Sequence, residues 1–272
     1  MILPGAAVLL ASAAAHAADW YVWERLAGTL NPLGANNELR VEARTALPWT
    51  KEGDALRAAT FAGVGGDVEV SPAYLRIGPR LSFSPLAVFE VTAQARLLQY
   101  FGAFGTILSF PSKDAPYDDQ TREARSEEAA SETGVGFDVR PELRIKLGRF
   151  VAANSWEIHY LVVPGDEPFI YEPYFDLLIA RHGLVFWSDF VAGAFVWDPP
   201  GDRMALVAGM WAYSRAPKSG DRSSSIGPLL AVKPVAGATW PAAVLLTRVY
   251  LYDNLQDRGS IYLAIGLRWS LD

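Results

Sequence analysis

The chain has 272 residues, of which 51% are hydrophobic and 20% charged, and a net charge of −6. It contains no cysteine, which excludes a disulfide scaffold, a thiolate metal site and cysteine catalysis. The acidic balance offers no basic patch for nucleic acid. Beyond the N-terminal segment no apolar run approaches the ~18 residues of a membrane-spanning helix, so the apolar residues are interleaved with polar ones.

In chain order, Ile2 to Ala15 is apolar and small, and Ala15-His16-Ala17 forms an A-x-A cleavage site. Residues 1–17 are therefore expected to be a secretory signal peptide, although the segment lacks the usual N-terminal Lys or Arg. Residues 18–36 are an N-terminal segment or a first strand. From 37 to 272 the chain is expected to be a single β-barrel.

Two-residue alternation then dominates, and it puts the two sets of side chains on opposite sides of a sheet. Over Glu38–Trp49, Glu38, Arg40, Glu42 and Arg44 oppose Leu39, Val41, Ala43, Leu47 and Trp49. Over Ala73–Phe83, Tyr74, Arg76, Arg80 and Ser82 oppose Leu75, Ile77, Leu81 and Phe83. Over Ala87–Leu97, Glu90, Thr92, Gln94 and Arg96 oppose Phe89, Val91, Ala93, Ala95 and Leu97. Over Val135–Leu147, Asp138, Arg140, Glu142, Arg144 and Lys146 oppose Val135, Phe137, Val139, Leu143, Ile145 and Leu147. Ser155, Glu157 and His159 oppose Trp156, Ile158, Tyr160 and Val162.

Later candidate strands are apolar on both faces and hard to phase: Tyr171–Ala180, Leu184–Trp197, Met204–Tyr213, Ile226–Val235 and Ala242–Tyr252. In the last strand, Ile261, Leu263, Ile265, Leu267, Trp269 and Leu271 make one apolar face.

Ser84-Pro85, Gly148-Arg149 and Arg181-His182-Gly183 read as tight turns, and Asp198-Pro199-Pro200-Gly201-Asp202 as a breaker cluster. Thr50–Asp67, Gly102–Glu132 and Ala216–Ser225 read as longer connections. The count comes to eleven strands, whereas single-chain bacterial barrels have an even number. Either Trp20–Leu26 supplies a twelfth, or a segment between Leu184 and Tyr252 is misread.

Segments of about ten residues match a tilted bilayer crossing and exceed the usual soluble strand. Aromatics near the strand ends fit interfacial girdles. The expectation is an all-β fold, a closed antiparallel transmembrane β-barrel of about ten to twelve strands. A secreted soluble β-sandwich or barrel is the alternative.

The final strand adds a resemblance. Gly266-Leu267-Arg268-Trp269-Ser270-Leu271 resembles the C-terminal β-signal of bacterial outer-membrane proteins, with Gly266, Trp269 and Leu271 at its glycine, aromatic and second aromatic-or-apolar positions. It departs from that signal in ending on Leu271 and Asp272 rather than Phe. The resemblance covers about ten residues. It implies export through the periplasm, recognition by the barrel-assembly machinery and insertion into outer-membrane lipid.

With the apolar faces on lipid, the lumen-lining candidates are Glu38, Arg40, Glu42, Arg44, Arg76, Arg80, Glu90, Arg96, Asp138, Arg140, Glu142, Arg144 and Lys146. Two readings stand open. Paired charges could staple the interior, because an unpaired buried charge is costly. Alternatively they could line a wet channel that selects small solutes or ions.

Lys113–Glu132 is the longest polar stretch. It reads as an external loop with room for a short helix; the sharper readings are divalent-cation binding, though its carboxylate spacing matches no EF-hand pattern, an inward constriction, or loop-mediated binding or adhesion. A hydrolase reading rests on His159 with Ser155 and Glu157, which have the chemistry of base, nucleophile and acid. However, i and i+2 side chains on a strand start ~7 Å apart, so a partner from a neighbouring strand would be required. No cofactor, metal or nucleic-acid partner is expected, and enzymatic activity is the less favoured reading.

Overall fold

The computed structural model describes residues 18–30, 33–102, 107–199, 203–237, 240–254 and 259–271. The expected signal peptide lies outside these residues. Twelve strands form a closed antiparallel barrel. In chain order they are β1 (Asp19–Leu30), β2 (Gly34–Ala46), β3 (Phe61–Val70), β4 (Tyr74–Leu86), β5 (Phe89–Phe101), β7 (Ser131–Leu147), β8 (Phe150–Val162), β11 (His182–Trp197), β12 (Met204–Ala216), β13 (Asp221–Lys233), β14 (Ala242–Tyr252) and β15 (Ile261–Leu271).

β15 closes the ring on β1, in register from Val22↔Leu271 to Leu30↔Leu263. Closure leaves no unpaired edge, the condition for a sheet in hydrocarbon. The even strand number puts the ends of β1 and β15 at the same rim, called here the termini end; the opposite rim is the loop end.

The alternation makes the fold. Along β5, Glu90, Thr92, Gln94, Arg96, Leu98 and Tyr100 are buried while their odd-numbered neighbours are intermediate or exposed. The outer surface is correspondingly apolar: Leu81 is 57% exposed, Phe137 53% and Ile265 58%. A continuous apolar exterior of this extent has no soluble rationale and is what lipid requires.

Three short strands stand apart. β6 (Ser109–Phe110), β9 (Phe169–Glu172) and β10 (Leu177–Ala180) form a separate sheet in the order β10-β9-β6. They belong to the two long loop-end connections, the first of which also carries the short helix α1 (Asp119–Ala124). This insert supplies the hydrophobic core. Ile107, Ile170, Phe175, Leu177 and Ile179 pack against Leu98, Tyr100, Leu161 and Val185 of the barrel, while Leu108, Phe110, Tyr117, Tyr171 and Leu178 form a second cluster.

Four expectations are corrected. Tyr171–Ala180 is a hairpin of the insert rather than a wall strand; its apolar residues are buried on both faces because it lies among other residues of the protein. β3 falls largely inside the segment expected to be the connection Thr50–Asp67. The expected long connection Ala216–Ser225 is the short turn between β12 and β13. His182 begins β11 rather than lying in a turn between wall strands. The odd count of eleven thus came from counting 171–180 and overlooking β3, while the strand offered at Trp20–Leu26 is β1; it did not come from an error between Leu184 and Tyr252.

Candidate functional site: the barrel lumen

Glycine positions the charged wall. A Cβ on Gly65 would lie 2.0 Å from the Val41 carbonyl oxygen, so only glycine lets β2 and β3 approach as they do. A Cβ on Gly63 would collide with the Glu42 carboxylate, which crosses that vacant position to accept a hydrogen bond from Ser82 Oγ two strands away.

Inward side chains of β1 to β8 form two neighbouring groups of ion pairs, one around Glu42 and Glu90 and one around Glu38, Glu69 and Asp138. Arg40 and Arg25 reach Glu38 at 2.5 and 3.0 Å. Arg44 holds Glu42 at 3.1 Å, and Arg80 lies 3.9 Å from Glu42 and 3.7 Å from Glu90. Arg96 bridges Asp67 and Asp138, 3.1 Å from each. Arg76 lies 3.6 Å from Glu69 and 3.9 Å from Asp138. Arg144 reaches Glu90 at 2.9 Å and Glu142 at 3.7 Å. Arg140 faces the cavity. Lys146 sits at the termini-end rim, 2.7 Å from Asp198.

Aromatic faces hold several of these cations. Arg40 lies 4.2 Å and Arg268 5.4 Å from the Trp23 ring, and Arg44 lies 3.9 Å from the Tyr21 ring. Sequence reasoning left out Arg25, Asp67 and Glu69. Asp67 and Glu69 are spaced two apart after the glycines of β3, which was the available signal.

His159 does not join Ser155 and Glu157 in a triad. Its Nδ1 meets Asp138, directly opposite on β7. Ser155 lies four residues away along β8, about 13 Å at the strand rise. The His159 ring is 1% exposed and lies tilted against Phe175, with ring centres 5.0 Å apart, and its Nε2 side lies against Gly136. Asp138, Glu157 and His159 offer ligand atoms within 4.8 Å of one another, the arrangement that could hold a metal ion. The guanidiniums of Arg76 and Arg96 already supply positive charge to Asp138 there.

The turn between β9 and β10 enters this charged half of the lumen. Tyr174 receives the Arg76 guanidinium on its face at 3.8 Å, and Phe175 packs edge-on against Tyr174 and 5.9 Å from Trp187. Glu172 braces the turn, accepting from the Phe175 N–H at 2.9 Å and from Tyr100 Oη at 2.8 Å. Burial lifts the Glu172 carboxyl above its ordinary range, against the lowering effect of Arg76 and these two hydrogen bonds. Asp176 adopts φ 53°, a left-handed conformation, and bonds Tyr171 Oη at 2.5 Å. Burial pushes its carboxyl up to about 6, opposed by Tyr171 and Arg122 and assisted by Asp253 and Asp119.

Arg181 clamps the two long connections together. It reaches Glu132 at 2.5 Å, Ser109 Oγ at 2.6 Å and the Glu167 carbonyl at 2.8 Å. On the other side Asp221 ties the insert to β13, accepting from the Leu178 N–H at 2.8 Å and from Tyr117 Oη.

The insert leaves the rest of the lumen open. A cavity of about 1560 Å³ extends from Tyr21 and Met204 near the termini end to Leu33, Ser71 and Asp253 at the loop end. Asp119, Arg122 and Glu123 of α1 also line it, so part of the Lys113–Glu132 stretch turns toward the lumen. Of the barrel-signal residues, Gly266 pairs with Ala27 and Val244, Trp269 with Glu24, and Leu271 with Val22.

No protein-family model and no curated protein matches the chain. Solved structures do. The β-domain of the Bordetella autotransporter BrkA aligns with 93% of this chain and 99% of its own, at 11% identity and a TM-score of 0.50. The KdgM porin, solved with oligogalacturonate, aligns with 93% of this chain and 99% of its own (9% identity, TM-score 0.44). An outer-membrane channel from Pseudomonas putida F1 aligns with 93% and 94% (9% identity, TM-score 0.43). At these identities the likeness is one of fold. The chain is a closed twelve-stranded β-barrel of the kind found in the bacterial outer membrane.

Proposed function

We propose that this protein is a passive outer-membrane channel for small solutes, with the termini end toward the periplasm and the longer connections outside. The observation that carries the reading is the cavity, lined by residues from one rim to the other alongside the insert. Most charges on the charged half of the wall are drawn together in ion pairs, so it acts as a backing, and the insert narrows the path rather than filling the barrel. Membrane lipid and the barrel-assembly machinery are the partners this reading requires, with Gly266, Trp269 and Leu271 forming the assembly signal.

The test is single-channel recording of the refolded mature chain in a planar bilayer. Discrete, reproducible steps that enlarge in Phe175→Ala are expected, because Phe175 sits at the tip of the inserted turn. Stable insertion with no conductance in either protein would overturn the channel reading.

A further inference from the structure

The lumen has two chemically different walls. Opposite the ion pairs, the termini-side half of the inward faces of β12 to β15 is largely aliphatic, while Ser223, Ser225, Arg248, Tyr250 and Tyr262 line the cavity toward the loop end. Leu206 pairs in register with Ala231, which pairs with Val244, which pairs with Gly266. The adjacent inward row runs Ala208, Leu229, Leu246, Ala264. Leu206, Leu229, Val244 and Leu246 all line the cavity, as does Val191 of β11.

These residues face inward in a barrel that already has an apolar exterior, so lipid does not account for them. Leu206, Leu229, Val244 and Leu246 are only partly buried, so packing does not account for them either.

Arg268 lies at the termini-end border of this wall, in register with Arg25 and Ala242. It lines the cavity, and its guanidinium faces the Trp23 ring. Arg25, by contrast, is paired with Glu38. Among the described residues no carboxylate lies within ion-pair distance of Arg268. At the loop end the aliphatic band stops at Arg248, whose guanidinium is held over the Tyr262 ring at 4.2 Å; at the termini end it stops at Arg268, a cation with no acidic partner, and so complements an aliphatic chain ending in an anion.

We infer that the β12–β15 wall binds small amphiphilic carboxylates, with the hydrocarbon along Leu206, Leu229, Val244 and Leu246 and the carboxylate on Arg268. The inference rests on the proposed solute path and names its substrate class. A chain on this wall loses water from one side and the carboxylate exchanges water for a guanidinium, so affinity grows with chain length while the headgroup contribution stays constant. Full burial of a CH2 corresponds to about a fourfold gain in affinity and half burial to about twofold.

The experiment is calorimetric titration of butanoate, hexanoate and octanoate into the full mature protein in lipid nanodiscs, with empty nanodiscs as the blank and conductance recorded in parallel. Affinity should rise about two- to fourfold per CH2 in the unmodified protein. The paired substitutions Leu206→Asn and Leu229→Asn should flatten that dependence. Arg268→Gln should weaken all three ligands by a similar factor. Equal affinity for the three carboxylates, or octanoate heat no greater than that of empty nanodiscs, overturns the inference, and the unmodified protein alone decides this. Conductance without octanoate binding removes the inference and leaves the channel. Chain-length-dependent binding without conductance supports the site and removes the channel.

Discussion

Arg181 gives the sharpest test of whether the insert is held as described. Its side chain is 4% exposed, and its guanidinium joins Glu132 at the start of β7, Ser109 of β6 and the Glu167 carbonyl ahead of β9. Arg181→Met keeps most of the volume and removes every one of these bonds. Breaking a buried pair by deleting one partner costs about 3–5 kcal/mol. The wall strands do not depend on Arg181, so the loss should fall on docking of the insert. The expected result is an intact barrel with normal heat-resistant gel mobility, faster protease cleavage in the 107–130 and 163–181 connections, and larger, noisier single-channel currents. Wild-type protease sensitivity together with wild-type current would refute the assignment of Arg181 as the clamp.

Three further outcomes are expected. Arg96→Leu strands Asp67 and Asp138 without their shared cation and should lower barrel stability by about 3–5 kcal/mol, read as a drop in the urea midpoint of tryptophan fluorescence; an unchanged midpoint would mean that the network is not structural. Asp176 in the docked insert has a carboxyl raised from its ordinary value to about 6, so the docked form binds more protons than the released form between those limits. Docking is therefore strongest at low pH and weakens as pH rises through about 6, by up to about 3 kcal/mol for two pK units; Arg122, Tyr171, Asp119 and Asp253 surround the group. Current noise should increase from pH 4.5 to 7.5, Asp176→Asn should remove that trend, and a pH-independent wild type would contradict the assignment. Gly65→Ala puts a Cβ against the Val41 carbonyl and should abolish refolding as judged by gel mobility, so a normally folding variant would show that β2 and β3 do not need their close approach.

The legibility of the sequence followed burial asymmetry. Where one face is charged and the other apolar, as in β5 and β7, alternation located both the strand and its inward side. It failed in two places for opposite reasons. β3 carries Gly63, Gly65 and Gly66, which read as loop, yet glycine is what the crossing Glu42 side chain and the close strand approach demand. Tyr171–Ala180 is apolar throughout, and a short apolar run does not say whether its surroundings are lipid or protein. The difficulty of phasing Met204–Tyr213 and Ala242–Tyr252 has a structural cause, since their inward faces are largely aliphatic too. The clamp at Arg181 and the tether at Asp221 join residues distant in sequence, and no local pattern announces them.

The confinement of the ion pairs to one contiguous arc of the wall separates two tasks that many barrels mix. Substitutions at Leu206, Leu229, Val244 and Leu246 alter what a passing molecule meets without taking a partner from a buried charge, because the ion pairs described above lie among the strands on the far side. Such a scaffold can change its preference for solutes in small steps while its closure, its insert and its paired arc stay intact. Variation among related barrels should accordingly gather on the inward aliphatic positions and be sparse at Glu42, Arg96 and Asp138.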